Sequence, residues 1–197
     1  MLARCGTGPA RTTEVIRSGR APYQQKSILD GGRTMRHVKT TDQTTLSAER
    51  QLTGFIAKFE PNNLKLIRSV RKVLRKRFPT ANELVYDYRK NFVIGYSPTE
   101  RGSDAVVAMT AAANGVALYF NQGPSLPDPH KILMGDGRQT RFIRLESAGV
   151  LLQPEVESLM TAAVREAMIP LRRSGRGGLI IKSMSWKQRP RRRTVKR

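Results

Sequence analysis

The chain has 197 residues, and its 36 Lys or Arg against 15 Asp or Glu give it a formal net charge of +21 at pH 7. A chain of this length supports one substantial core more readily than two. Its one cysteine, Cys5, excludes an intramolecular disulfide and a thiolate metal cage, which favours a reducing compartment. No apolar run approaches the roughly 20 residues of a membrane span, so we expect a cytoplasmic protein without a membrane partner.

The excess positive charge is concentrated at the C-terminus. Residues 1–45 carry eight basic and three acidic side chains, residues 46–170 carry 17 and 12, and residues 171–197 carry 11 and none. This division predicts one folded domain at 46–170, preceded by a disordered extension at 1–45 and followed by a disordered basic tail at 171–197. Two alternatives for the extension stay open: Met35 is the true initiator and the upstream stretch is misassigned, or its Arg-rich composition is that of a transit peptide.

Two helices are predicted at the start of the domain. Ser47 can cap the first, whose apolar positions recur at helical spacing: Leu52, Phe55, Ile56 and Phe59. The second runs from about residue 62 to residue 78, where Pro79 ends it.

The outer face of the second helix is entirely basic. No acid occurs between Leu64 and Phe78, so this helix cannot form internal ion pairs. One interpretation is a contact for nucleic-acid phosphates, since clustered cations release counterions on binding. The other is a solvated face whose last cations are favoured by the helix dipole. The candidate contact residues are Lys65, Arg68, Lys72, Arg75 and Lys76, with Arg71 and Arg77 at the flanks.

From Glu83 onward the apolar period changes to two, which predicts five short strands at 83–88, 92–97, 104–111, 115–120 and 140–146. Asn114-Gly115 predicts a hairpin turn in which both residues take positive φ, so neighbouring strands should be antiparallel. A closing helix runs from Pro154 to Pro170. The expected fold class is therefore α+β: a mainly antiparallel sheet of about five strands, with two N-terminal helices and one C-terminal helix against one side.

The segment from Tyr119 to Glu146 carries the most particular motif. Asp128-Pro129 is followed by Leu133, and then by Gly135-x-Gly137-x-x-x-Arg141-x-Ile143. On these words, residues 46–170 resemble the YdhG-like domain family, a group of small, mostly bacterial domains of largely unknown function. The resemblance implies a non-enzymatic binding domain, and it allows iron delivery, because at least one family member is regarded as a frataxin-like iron chaperone.

The same segment is a candidate anion site, because glycines let the backbone approach a ligand closely and arginines supply donors. The candidate residues are Gly135, Gly137, Arg138, Arg141 and Arg144. Arg141 and Arg144 project to opposite faces of a strand, so at most one of them can line a single pocket. Alternatively, the glycines make a tight turn and the arginines pair with neighbouring acids.

Iron binding would require carboxylates, and Glu83 and Asp87 share one face of a strand. They are the metal candidates, although isolated acids on strands more often pair with neighbouring arginines. Catalysis is not expected, because only two histidines exist: His37 precedes the domain and His130 lies in a turn.

Beyond Pro170 the composition predicts disorder, apart from a short strand at 179–181. Trp186 lies among cations, a mixture that binds single strands without sequence preference. The tail candidates for nucleic-acid contact are Trp186, Arg191, Arg192 and Arg193. The leading functional hypothesis is a binding domain for a small anionic ligand or a protein partner, and the alternatives are iron delivery and nucleic-acid association.

Overall fold

The computed structural model describes residues 40–184 of the chain, with side chains described for residues 46–182. The predicted α+β class is confirmed, because three helices pack on a six-stranded sheet. None of the helices in this part of the chain is long and apolar enough to cross a membrane.

Along the chain, two helices are followed by five strands, a third helix and a sixth strand. The helices are α1 (Thr40–Ile56), α2 (Pro61–Arg77) and α3 (Pro154–Arg165). The strands are β1 (Asn82–Asp87), β2 (Phe92–Ser97), β3 (Val107–Ala112), β4 (Gly115–Phe120), β5 (Arg141–Leu145) and β6 (Leu179–Met184).

The first helix begins earlier than predicted. It starts at Thr40, so residues 40–45, which were assigned to a disordered extension, are helical. The cap expected at Ser47 is wrong, because Ser47 lies inside the helix. These first residues are polar and carry no apolar periodicity, so the sequence pattern does not mark them.

The sheet has the order β5-β4-β3-β2-β1-β6, and its first five strands are antiparallel neighbours. Successive side chains alternate between two faces. One register row crosses five strands on the helix-covered face and is buried throughout: Val85, Ile94, Met109, Leu118 and Ile143. Inward residues of all three helices belong to the same core as this row.

The predicted hairpin between β3 and β4 forms with a different turn. Ala113 and Asn114 connect the strands, and Ala112 pairs with Gly115. Gly115 has φ +130°, whereas Asn114 does not have a positive φ. The positive φ therefore falls on the glycine alone, which has no Cβ to oppose it.

The fold extends past the predicted domain boundary at residue 170. The short strand expected at 179–181 is longer, spans Leu179–Met184, and pairs in parallel with β1 at the sheet edge. The sequence predicts a disordered tail at residues 171–184, but pairing with β1 satisfies the backbone groups on one side of β6 and lets Leu179 and Ile181 pack against the core. The sheet is consequently mixed.

The second face of the sheet, called here the open face, carries no described helix. A 3-10 turn at Gly102–Asp104 covers its β1–β2 side, where Gly102 lets the Tyr86 hydroxyl approach closely. The part over β3, β4 and β5 stays partly exposed.

Candidate functional site

The cations of α2 divide into two sets according to their partners. Arg71, Arg75 and Arg77 are partly buried, and each forms ion pairs with an acid of another element. The second set is exposed and takes part in no ion pair within residues 46–182. Its members are Lys65, Arg68, Lys72 and Lys76.

The paired set forms a network in which Glu83 is central. Arg71 donates to Glu83 and Glu49, with nitrogen–oxygen distances of 2.7–2.9 Å. The hydroxyl of Tyr96 donates to Glu83 over 3.2 Å, and Arg75 donates to Glu49 over 3.0 Å. Because only 4% of Glu83 is exposed, its negative charge is held inside by these donors. The network fastens α1 and α2 to the sheet.

The pKa values of this network follow from its geometry. The hydrogen bond from Arg71 holds the pKa of Glu49 below its ordinary value. Burial by itself would lower the pKa of Arg71, but hydrogen bonds to Glu83 and Glu49 outweigh it and raise the pKa. Burial also raises the pKa of Tyr96 well above its usual range. The arginine therefore remains a cation and Tyr96 remains a neutral donor.

The unpaired set forms a line along one side of α2, called here the basic stripe. Its members, Lys65, Arg68, Lys72 and Lys76, stand at positions i, i+3, i+7 and i+11 of the helix. From first to last they span about 16 Å at the helical rise of 1.5 Å per residue. Like charges at these spacings repel, and only Lys76, which lies in the last turn of α2, is favoured by the helix dipole.

Two depressions continue the basic surface on either side of Arg75. One, of about 350 Å³, lies between α1 and α2 and is lined by Arg68, Lys72 and Arg75. The other, of about 490 Å³, lies at the end of α2 and is lined by Arg75, Lys76 and Arg176. Since Arg75 lines both, the positive surface is continuous from the stripe to the segment before β6.

Hydrogen bonds and packing contacts within the same segment stabilise the glycine loop of the predicted anion site. The Arg141 guanidinium donates to the carbonyl oxygens of Gly137 and Thr140. Gly135 has φ +95°, and a Cβ there would lie 3.2 Å from the Phe142 ring. The Asp128 carboxylate accepts from the backbone N–H groups of Ile132 and Leu133, over 3.0 and 2.8 Å. Three of the five candidate anion-site residues, Gly135, Gly137 and Arg141, thus have contacts within the loop and its strand.

The remaining two predicted anion-site residues lie apart. Arg138 is exposed and lines a depression of about 580 Å³ beside the end of α3. Arg144 is exposed on the open face, opposite Ala117. Arg141 and Arg144 alternate between faces as expected, so the five candidates do not converge on one pocket.

The two metal candidates hold separate ion pairs. Glu83 belongs to the network above, and Asp87, which is completely buried, accepts from Lys58 over 2.9 Å. The described residues contain no group of three or more potential metal ligands. The geometry gives these carboxylates a structural role in fastening helices to β1.

Several predicted residues lie outside the described part of the chain. They are Cys5, His37, Trp186, Arg191, Arg192 and Arg193. His130 is described, and it is exposed in its turn.

Sequence reasoning missed Arg176 and Glu49 as parts of this surface. Arg176 falls in a Gly-rich segment that was assigned to a tail, and only pairing of the following strand with β1 brings it beside Lys76. Glu49 is one of the acids of α1, and nothing in its local pattern marks it as a partner of α2.

Comparison with known proteins returned no matching family model, no matching curated protein and no matching solved structure. The resemblance to YdhG-like domains remains a prediction from the residues quoted above.

Proposed function

We propose that the protein is a non-enzymatic nucleic-acid-binding protein that holds backbone phosphates on the basic stripe of α2. The observation that carries the proposal is the contrast within one helix. Arg71, Arg75 and Arg77 receive acidic partners, whereas the stripe of four cations receives none among the described residues. Exposed cations that repel one another and have no acidic partner among the described residues are suited to a polyanionic partner.

The surface around the stripe supports a backbone contact. The stripe spans about 16 Å, which is long enough to follow several consecutive phosphates. Arg176 extends it into the adjoining depression, which Lys76 also lines. Glu49 and Glu83, which face the paired arginines of α2, already accept from them, so they do not present free negative charge to an approaching strand.

The basic composition of residues 171–197 also favours binding to a nucleic acid. Eleven cations and no acid increase non-specific attraction to any polyanion. A contact of this kind positions the nucleic acid without reading its sequence.

The proposal is tested by the salt dependence of oligonucleotide binding to the full chain. In Lys72→Gln/Lys76→Gln we expect the slope of log K against log salt to become shallower by about 2, because each lost phosphate contact removes about 1. The matched control is Arg138→Gln/Arg165→Gln, which removes the same charge from the glycine loop and α3 and should leave the slope nearly unchanged. Equal effects of the two double variants would mean that only net charge matters, and the stripe would not be the site.

A small anionic ligand is a second candidate, favoured by the depression of about 580 Å³ at Arg138. Its lining joins this cation to hydroxyl and amide groups, among them Ser103, Gln122 and Thr140, which can orient a carboxylate or phosphate. Calorimetric titration with phosphate and small carboxylates tests it. Saturable binding that Arg138→Ala removes would support this site, and unchanged binding in that variant would exclude it.

A further inference from the structure

The open face of the sheet carries two register rows of a different character from the buried face. One row reads Gly95, Ala108, Tyr119 and Phe142 across β2 to β5. The neighbouring row reads Tyr86, Val93, Thr110, Ala117 and Arg144 across β1 to β5. Shorter side chains thus separate the aromatic residues of β1 from those of β4 and β5, on a face that no described α-helix covers.

The rings of this face are arranged in two stacked pairs. The ring centroids of Tyr119 and Phe142 lie 5.1 Å apart with an interplanar angle of 24°. Those of Tyr86 and Tyr88 lie 5.7 Å apart at 12°, and 49% of Tyr88 is exposed. Three strand spacings separate β1 from β4, so the two pairs lie at least about 14 Å apart.

The Tyr119–Phe142 pair is held in place before any ligand arrives. The backbone of Met134 exchanges two hydrogen bonds with Phe142, over 2.8 and 3.0 Å. Gly135 packs its Cα side against the Phe142 ring, where a Cβ would be crowded. A ring fixed by its neighbours loses little freedom when a second planar group stacks on it.

The surroundings of this pair suit a polar, planar ligand. A depression of about 430 Å³ beside it is lined by Thr110, Asn114, Tyr119, Phe142 and Arg144. The cross-strand neighbour of Tyr119 on β3 is the small Ala108, so no large side chain stands next to Tyr119 on that strand. The amide and hydroxyl groups can donate to or accept from base edges.

The end of the open face that carries Arg144 is positively charged. Arg144, Arg89 and Lys90 are exposed and form no ion pair within the described residues, while the one acid that lines the depression is Glu146. β6 runs parallel to β1 and ends at Met184 opposite Asp87, next to the turn that holds Arg89 and Lys90. The chain continues from there into 13 residues with seven cations and no acid.

We infer that the open face binds single-stranded nucleic acid by stacking a base on Tyr119, with Phe142 supporting that ring and Arg144 beside it for a phosphate. The inference rests on the proposed function and names its substrate class. Bases of a duplex are already stacked and paired, so only an unpaired strand can offer them to a ring. A second copy of the chain is a poorer occupant, because it would bring two strongly positive molecules together.

The test compares two oligonucleotides that carry the same charge. Fluorescence anisotropy would measure binding of the full chain to oligothymidylate of about 12 nucleotides and to an abasic strand of equal length. We expect the thymidylate strand to bind more tightly. Tyr119→Ala should weaken it at least about fivefold and leave the abasic strand unaffected, since one stacked base contributes about that factor or more.

The control variant Tyr119→Phe keeps the ring and should bind both strands like the original chain. Circular dichroism of each variant confirms that the fold is retained, and Arg144→Gln provides a second variant that keeps the ring pair. Its binding to both strands should weaken, because it removes a phosphate contact.

The possible failures are distinguishable. Equal affinity of the original chain for both strands would overturn stacking on this face. If Lys72→Gln/Lys76→Gln still weakened the binding of both strands, the proposed phosphate contact of the basic stripe would stand without stacking on the open face. Absence of binding to either strand would overturn both proposals. A change in sedimentation with Tyr119→Ala, at unchanged thymidylate affinity, would assign the face to self-association and overturn the inference.

Discussion

Glu83 shows at the residue scale why the cations of α2 behave differently from one another. Its carboxylate is almost completely buried and accepts from Arg71 and from the Tyr96 hydroxyl. A buried charge requires such partners, because its hydration has been lost. The arginines that satisfy it are therefore committed to the fold and are withdrawn from any ligand.

We predict that Glu83→Gln lowers the free energy of unfolding by about 3 kcal/mol, because it leaves Arg71 with less compensation in a buried site. Urea unfolding measures this change. The matched control is Glu100→Gln, whose carboxylate is 71% exposed and pairs with Lys182, and which should change stability by less than about 1 kcal/mol. Losses of equal size in the two variants would contradict a structural role for Glu83.

The lowered pKa of Glu49 predicts a dependence of stability on pH. Because the folded pKa lies below the unfolded one, the unfolded state binds more protons as the pH falls through this window. The contribution of Glu49 is therefore fully present above the ordinary glutamate pKa and is lost as the pH falls through the lowered folded value. Glu49→Gln should make the unfolding midpoint fall less steeply between about pH 6 and about pH 3. An unchanged slope in thermal unfolding across that range would disprove the pairing.

The sequence indicated the basic face of α2 but could not show which cations stay free. The helical period places Lys65, Arg68 and Lys72 on the outside correctly. The acids that pair with Arg71 and Arg77 belong to α1, β1 and α3, and they are 12 to 80 residues away along the chain. Pairing over such distances is a property of tertiary packing and leaves no local pattern.

Among the elements, β6 differs most from its sequence expectation. The surrounding composition is basic and rich in glycine, which favours disorder. The glycines have a packing role instead: Gly177 lies so close to β1 that a Cβ would overlap the carbonyl oxygen of Ala81. Its N–H also donates to Pro79 over 2.9 Å, so the segment is guided along the sheet edge.

We predict that Gly177→Ala detaches β6 from β1, because the added methyl group has no space. Hydrogen exchange should become faster at the Glu83 N–H, which donates to Gly178 over 2.8 Å. The control is Gly54→Ala in α1, where a Cβ meets nothing within 4 Å and the substitution should stabilise by about 1 kcal/mol. Unchanged exchange at Glu83 would show that the strand tolerates the side chain.

The elements that sequence reasoning predicted well are those with strong local periodicity. The five strands β1 to β5 each overlap the predicted ranges, and the core positions of α2 at Ile67, Val70 and Leu74 are buried. The five residues of the candidate anion site are close in sequence, but they do not converge on one pocket. Strand alternation and the internal bonds of Arg141 separate them in space.

At the scale of the whole molecule, the sheet separates two surfaces that suit one kind of ligand. The basic stripe belongs to the helix layer on one side, and the rings of Tyr119 and Phe142 lie on the open face. We propose that the first holds phosphates and that the second stacks bases. The net charge of +21 draws a polyanion to either surface.

The most direct test of the phosphate contact is lysine footprinting of the full chain. Acetylation of each lysine would be measured by mass spectrometry, with and without a single-stranded oligonucleotide at low salt. We predict that Lys65, Lys72 and Lys76 are protected by the oligonucleotide, whereas Lys131, which is exposed away from the stripe, reacts equally in both samples. Equal reactivity of the stripe lysines and Lys131 under conditions of full binding would contradict the account.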